Sequence, residues 1–284
     1  MKNSKLILSA AVAVSSMLGI GAASAADLPV KALPYTAAAP ASSWTGFYVG
    51  GTAGAGWGNE ASNVAISTGL IQDFSPIVPG SYKKRMLGFT GGVEAGYNLQ
   101  FNSLVLGVES DFSYANINGS ANANETFFPP AGVTVLCPLG AICTTRTSYN
   151  EQQTLSWLAT VRGRIGFLAT PSWLIYGTGG WAVGNVKSSA SVIFAGQTTL
   201  GGVTTTTSTP LIFSGSSSQI QNGWTLGGGT EYMLTRYWTG KVEYLYYDLG
   251  SVILVGTTVG HSITTTSNMP VHGQIFRVGT NYKF

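Results

Sequence analysis

The sequence predicts an all-β fold, an eight-stranded antiparallel up-and-down β-barrel that spans a membrane. Hydrophobic residues make up 44% of the chain and charged residues only 9%, so an ordinary charge-rich soluble surface is not expected. After the N-terminus no run of about 18 apolar residues could form a membrane helix, whereas eight runs alternate with period 2. Since only helices and closed barrels satisfy their backbone hydrogen bonds inside a bilayer, these runs predict a barrel.

The first 43 residues precede the predicted barrel. Lys2 and Lys5, the apolar stretch 6–20 and Ala23-Ser24-Ala25 together predict a signal peptide over residues 1–25, cleaved after Ala25. A retained signal-anchor helix is the alternative. Residues 26–43 are rich in Pro and Ala without a period, which predicts an extended periplasmic tether. The barrel domain is therefore expected over residues 44–284.

Each of the eight runs is long enough to cross a bilayer as a tilted strand, which takes about 9–11 residues. The predicted strands are 45–57, 86–98, 103–115, 154–168, 173–186, 222–233, 237–249 and 272–284. Three connections are short, at 99–102, 169–172 and 234–236, and four are long, at 58–85, 116–153, 187–221 and 250–271. Bacterial outer-membrane barrels place short turns in the periplasm and long loops outside the cell, and an even strand number puts both chain ends in the periplasm.

The alternation separates a lipid face from a luminal face. In the last run, Phe276, Val278 and Tyr282 share one face, and Arg277 and Lys283 share the other. A charge on the lipid face at the bilayer midplane costs about 2–4 kcal/mol, so the mid-strand charges are expected in the lumen. These are five acids and five bases: Glu94, Glu109, Asp111, Arg162, Arg164, Glu231, Lys241, Glu243, Arg277 and Lys283.

An eight-stranded barrel is just wide enough to be filled by its own side chains. The ten luminal charges are therefore expected to pair into a balanced network that fills the interior. The lining of a narrow pore is one alternative, and a catalytic site is another.

Two cysteines and two histidines are the remaining candidates for chemistry. Cys137 and Cys143 lie in one predicted loop, and in an oxidising compartment an intraloop disulfide is expected, with free thiols or a metal site as alternatives. His261 and His272 are expected to be solvated loop residues, although haem ligation or a catalytic site at the rim would also use histidine. We expect no catalytic residue, no cofactor and no metal.

Three motifs resemble one known family. Residues 44–51 (WTGFYVGG), 174–182 (LIYGTGGWA) and 277–284 (RVGTNYKF) are similar to small alphaproteobacterial outer-membrane barrels of the Rhizobiales and Brucella surface-antigen type, often called porin family proteins. The resemblance covers the whole mature chain in layout. It implies an eight-stranded barrel related in shape to the membrane domain of outer-membrane protein A. It also implies that the C-terminal Phe284 is recognised by the outer-membrane assembly machinery.

The expected function is that of an integral outer-membrane barrel with a structural and surface-antigen role in envelope integrity, and not that of an enzyme. A small-solute porin or a haemin-binding surface protein is the alternative. The expected partners are outer-membrane lipid and lipopolysaccharide, the assembly machinery, and an extracellular ligand bound through the loops. Without Lys2 and Lys5, 12 basic residues face 11 acidic ones and no basic stripe remains, so nucleic acid is not an expected partner.

Overall fold

The computed structural model describes residues 43–68, 80–128, 139–206, 211–258 and 261–284. The secondary structure of these residues consists of nine strands: β1 Gly46–Thr68, β2 Ser81–Phe101, β3 Leu104–Phe127, β4 Ile142–Thr170, β5 Trp173–Leu200, β6 Val203–Thr206, β7 Leu211–Met233, β8 Trp238–Thr258 and β9 His261–Lys283. In this part of the chain no helix is long and apolar enough to cross a membrane. The predicted signal peptide and nearly all of the predicted tether lie outside the described residues.

Eight of the strands form a closed ring of antiparallel pairs. Each strand pairs with its neighbour along the chain, β5 pairs with β7, and β9 returns to β1 with Gly54 opposite Arg277. The short β6 pairs only with the end of β5, as a hairpin. The ring leaves no edge strand within the membrane-spanning part, as a barrel in hydrocarbon requires. The predicted eight-stranded antiparallel barrel is confirmed.

The strands extend well beyond their predicted ends. β1 continues to Thr68 and β4 begins at Ile142, so much of the sequence expected as loops 58–85, 116–153, 187–221 and 250–271 is strand. The alternation continues in these segments. On β1, for example, Glu60, Ser62 and Val64 are buried while Asn59 and Asn63 are exposed. Polar residues replace the apolar ones on the outer face, and the ladder hydrogen bonds continue because they do not depend on side-chain type.

The outer face of the barrel changes from apolar to polar along the strands. Towards the short turns it exposes large apolar residues such as Phe47, Val93 and Ile165. Towards the long hairpins it exposes mainly Asn, Ser, Gln and Lys, with Ile220, Ile253 and Val255 as apolar exceptions on β7 and β8. The change occurs near a set of mainly aromatic outward residues, Trp57, Leu87, Tyr114, Trp157, Trp181 and Trp224. Aromatic residues concentrate at membrane interfaces, so this set marks the edge of the lipid-facing band on the side of the long hairpins.

Beyond this edge the wall divides into two sheets. Among the described residues, no ladder joins β2 to β3 beyond Leu87 and Asn118, or β7 to β8 beyond Trp224 and Asp248. The other ladders continue, so sheet A consists of β3, β4, β5 and β7, and sheet B of β8, β9, β1 and β2. The two sheets face each other across the upper interior.

Two bulges adjust which residues point inward. On β4 the register shifts between Leu155 and Trp157, so inward positions are odd-numbered above the bulge and even-numbered below it. On β8 Gly250 adopts φ +79°, and its N–H donates a 2.9 Å hydrogen bond to Asp248 Oδ1. Glycine adopts this left-handed conformation without steric cost. Each bulge keeps apolar side chains pointing inward on both of its sides.

Candidate functional site: the layered barrel interior

The interior is filled by side chains in alternating apolar and charged layers. β4 passes through the whole sequence of layers, with Leu168, then Arg164 and Arg162, then Leu158 and Leu155, then Glu151, and finally Tyr149. All seven side chains are buried. We name the layers, from the short-turn end, the basal apolar layer, the lower charge cluster, the middle apolar layer, the upper charge cluster and the upper apolar layer.

The basal apolar layer closes the short-turn end. It consists of Trp44, Val105, Leu168, Leu174, Tyr176 and Met233. Trp44 is only 1% exposed although it precedes β1. Its indole Nε1 donates a 3.1 Å hydrogen bond to the carbonyl of Pro171, and its backbone N–H donates to Gln100 Oε1 at 2.7 Å. The chain entering the barrel is thereby fixed across the turns.

Nine of the ten predicted luminal charges meet in the lower charge cluster. Arg162 donates to Asp111 Oδ2 at 2.9 Å and to Glu243 Oε1 at 3.1 Å, and it also contacts Glu109. Arg277 reaches the same two acids, at 2.5 Å from Glu243 Oε2 and 3.2 Å from Asp111 Oδ1. Buried charges are tolerated only when they are paired and hydrogen-bonded in this way.

The rest of the lower charge cluster follows the same rule. Lys241 Nζ lies 2.6 Å from Glu94 Oε1 and 3.3 Å from Glu109 Oε1. Arg164 pairs with Glu231, and its guanidinium carbon lies 3.7 Å from the ring centroid of Tyr176, a cation–π contact.

Lys283 does not join this cluster, which corrects one expectation. It lies near the end of β9, is only partly buried, and its Nζ donates to the carbonyl of Ser43. At that position the strand leaves the barrel, so the long side chain reaches the entering chain instead of the lumen. The lower charge cluster therefore holds five carboxylates and four cations, and the predicted balance is off by one charge.

The middle apolar layer was not anticipated from the sequence. Its members are Met86, Ala115, Ile117, Leu155, Leu158, Ala182, Val186, Leu245, Tyr247, Leu249, Val252, Leu254, Met269, Val271 and Ile275. Several of them fall in segments expected to be loops, although inward alternation through Ile117, Leu155 and Met269 was a signal in the sequence. A purely polar plug is therefore the wrong description of the interior, because a thick apolar layer covers the charges.

The upper charge cluster was also missed. Lys84 Nζ lies 2.7 Å from Glu151 Oε1 and 3.2 Å from Glu60 Oε2, and the Lys84 and Glu151 side chains are fully buried. Ser62 Oγ donates to Glu151 Oε1 at 2.6 Å, and the backbone N–H of His272 donates to Glu60 Oε1 at 3.1 Å. Because Glu151 belongs to sheet A and Lys84 to sheet B, the cluster joins the two sheets.

A tyrosine pair lies directly above the upper charge cluster. The rings of Tyr82 and Tyr149 stack with centroids 4.1 Å apart, and Tyr149 donates to Glu151 Oε2 at 2.6 Å. Burial and this hydrogen bond raise the pKa of Tyr149, and burial together with the charge of Glu125 raises the pKa of Tyr82 to about 12. Both phenols therefore stay protonated at neutral pH. With Val64, Ala121 and Val192 they form the upper apolar layer.

Comparison with known proteins identifies the family. Residues 12–284 match the family model described as outer membrane protein beta-barrel domain. The chain belongs to this family. It is 35% identical over 265 residues to the 31 kDa outer-membrane immunogenic protein of Brucella melitensis, covering 92% of this chain and 93% of that protein. It is 29% identical to the 22 kDa outer membrane protein of Rhizobium leguminosarum, covering 80% and 71%.

The resemblance to Brucella and Rhizobiales outer-membrane barrels that the three sequence motifs indicated is confirmed by these relatives. Among solved structures, the outer membrane protein OprG from Pseudomonas aeruginosa is 15% identical, with 84% of this chain and 96% of that chain covered and a TM-score of 0.43. A likeness at that level adds nothing to the assignment. The family places the protein in the outer membrane. Because bacterial outer-membrane barrels have short periplasmic turns and long extracellular loops, we expect the short turns in the periplasm and the two sheets outside the cell.

Of the remaining candidate residues, the structure describes the side chains of Cys143 and His272, and these two are far apart in the fold, on β4 and β9. Cys143 is buried and disulfide-bonded at the start of β4, but Cys137 lies outside the described residues, so its pairing with Cys143 stays a prediction. His272 is partly buried on the outer face of β9, with its ring 6.5 Å from that of Tyr246. Within the described ranges no group of three or more His, Cys, Asp or Glu side chains could hold a metal ion.

Side chains of the described residues pack the interior in the layers named above, and one small cavity lies beside the upper apolar layer. The cavity that the described residues enclose between Tyr149, Leu254 and Ser267 has a volume of about 20 Å³, enough for roughly one water molecule. The carboxylates of both charge clusters are engaged by cations or hydroxyls, and the basal and upper apolar layers lie between the clusters and the two ends of the barrel. Such groups are placed to hold the barrel together.

Proposed function

We propose that this family member is a structural, surface-exposed protein of the outer membrane that contributes to envelope integrity. It neither conducts solutes nor catalyses a reaction. The observation that carries the proposal is the layered interior, in which two charge clusters alternate with three apolar layers over the whole length of the barrel. An aqueous channel would need a continuous polar path, and the middle apolar layer interrupts it.

The surface role rests on the two sheets. They extend β1 to β9 beyond the membrane edge and carry mainly polar outer faces. The Brucella relative is named an immunogenic protein, and an exposed, rigid pair of sheets would present such a surface to the outside. The proposed partners are outer-membrane lipid and lipopolysaccharide, the assembly machinery through Phe284, and an extracellular ligand bound by the hairpins.

Planar-bilayer recording tests the closed interior. The purified barrel should give no stable conductance steps, measured beside an open porin as the positive control. Large, reproducible steps would contradict the proposal and favour the small-solute porin.

Epitope insertion tests the surface role. The β5–β6 turn at Gly201 and Gly202 has space around it, with no atom within 4 Å of an added Cβ. An epitope placed there should be accessible to antibody on intact cells. The same epitope at the opposite turn, Asn102–Ser103, should become accessible only after the outer membrane is permeabilised. Loss of the gene should increase sensitivity to detergents, and restored resistance on complementation would support the envelope role.

A further inference from the structure

Two exposed cations lie side by side on the outer face of β2. Lys83 and Arg85 both point outward and are exposed, whereas Lys84 between them points inward to the upper charge cluster. On the neighbouring β1, Ala61 lies opposite Lys83 and Asn59 lies opposite Arg85. The pair therefore occupies an open part of the wall, with a small residue and an amide beside it.

The height of this pair above the lipid can be worked out from the strand geometry. Trp57 and Leu87 are directly opposite each other in the ladder and mark the edge of the lipid-facing band. Arg85 lies two residues above that row and Lys83 four. With a rise of about 3.3 Å per residue and a tilt of about 40°, their Cα atoms lie roughly 5 and 10 Å above the hydrocarbon. The polar headgroup zone is about 5–8 Å thick on each side of a bilayer, so the Cα of Arg85 lies within it and that of Lys83 just above it, where the flexible four-carbon side chain of Lys83 can extend down to the headgroups.

Among the described residues, these two charges have no ion-pair partner. Glu125 lies at an inward-facing position near the end of β3, where its charge acts on the inward phenol of Tyr82, so it is on the opposite face from Lys83 and Arg85. Asp248 lies on β8 and accepts from Gly250. Below the pair, the outward Leu87 and Phe89 are 57% and 56% exposed. This part of the wall thus presents cations directly above an apolar surface.

We propose that Lys83 and Arg85 form a docking surface for the phosphate groups of the outer-leaflet glycolipid, with its acyl chains against Leu87 and Phe89. Arginine suits phosphate because its guanidinium offers paired donors, and lysine adds a second point charge. The inference rests on one part of the proposed function, namely that lipopolysaccharide surrounds the barrel in the outer leaflet. It assigns that contact to one side of the barrel, where the sequence had offered no site.

Binding of defined glycolipids to the folded barrel tests the proposal. Wild-type protein in neutral detergent is titrated with bisphosphorylated lipid A and with the same glycolipid after removal of its phosphates. A cation at an anionic membrane surface changes a binding constant by roughly fivefold. We therefore expect about fivefold weaker binding for Lys83→Gln or Arg85→Gln, and about 30-fold for the double variant. The dephosphorylated glycolipid should bind all of these proteins with the same weak affinity.

Lys187→Gln is the matched control. Lys187 is also exposed on an outer face, on β5, but it lies six residues from the Trp181 and Trp224 row and therefore well above the headgroups. This variant should bind the phosphorylated glycolipid as the wild type does. Equal losses in Lys187→Gln and in the double variant would overturn the proposal, as would equal binding of both glycolipids to the wild type.

The same preparations separate this inference from the proposed function. Both substitutions are at exposed positions, so heat-modifiable gel mobility should show a folded barrel in every variant. If the double variant binds normally but the bilayer recordings stay silent, the docking surface is wrong and the closed structural barrel stands. If the recordings show large conductance steps while the double variant binds 30-fold more weakly, only the proposed function fails.

Discussion

Replacing Lys84 by Met should separate the two extracellular sheets. The substitution keeps most of the side-chain volume but leaves Glu60 and Glu151 buried without a cation, at a point where the Lys84 and Glu151 side chains are fully buried. Removing one partner of a buried pair costs about 3–5 kcal/mol. That cost falls on the extension, because the lower charge cluster and the barrel ladders are unchanged.

Hydrogen exchange followed by mass spectrometry measures the effect. If sheets A and B open locally, the exchange rate rises with the lost free energy, so 3 kcal/mol corresponds to about a 100-fold increase in peptides covering residues 81–86 and 147–153. Peptides from the membrane-spanning parts of the same strands should exchange as in the wild type.

Two variants make this test specific. Lys83→Met alters the neighbouring exposed lysine and should leave exchange unchanged. Glu151→Gln leaves one carboxylate for one ammonium and keeps one acceptor oxygen, for either Ser62 or Tyr149, so its effect should be smaller than that of Lys84→Met. Equal exchange in Lys84→Met and Lys83→Met would refute the idea that the upper charge cluster holds the sheets together.

Closure, interior pairing and assembly give three more tests. A Cβ at Gly54 would lie 2.1 Å from the carbonyl oxygen of Phe276, so Gly54→Ala should reduce the heat-modifiable folded fraction, whereas Gly51→Ala, with 3.7 Å to its nearest atom, should not. Arg162→Met removes a cation shared by three buried carboxylates and should lower stability by at least about 3 kcal/mol in urea unfolding; an unchanged midpoint would contradict the pairing. Deleting Phe284 should lower the amount found in outer-membrane fractions while protein refolded in detergent keeps its gel mobility, and a normal amount in the membrane would argue against an assembly signal.

The membrane-spanning part of the fold could be predicted from the sequence because lipid imposes a strict alternation. A charge such as Arg162 or Glu243 cannot face hydrocarbon, so its position in a run fixes the inward face. The same rule brought nine charges into one cluster without any knowledge of distances. The rule gave the wrong position for Lys283 because a charge near the periplasmic end of a strand is no longer surrounded by hydrocarbon.

The extracellular part could not be predicted because water imposes no such constraint on its outer face. Residues 116–124 (NINGSANAN) and 214–222 (SGSSSQIQN) have the composition of loops, although both are strand. What makes them strands is long-range pairing, which places Asn122 opposite Asn150 and Ser216 opposite Ser189. Tertiary pairing overrides local composition here, and a single sequence carries little trace of it.

The bulge at Gly250 shows that the inward or outward direction of each side chain depends on the exact number of residues in a strand. Above it Val252 and Leu254 point inward, and below it Leu249 and Tyr247 do; without the extra residue every position on one side would exchange its lipid or solvent face for the interior. Insertions and deletions within the strands of homologues should therefore involve two residues, or one residue next to a glycine that can form a bulge. The hairpin tips can gain or lose residues two at a time, whereas the strand segments that form the interior layers should keep their length.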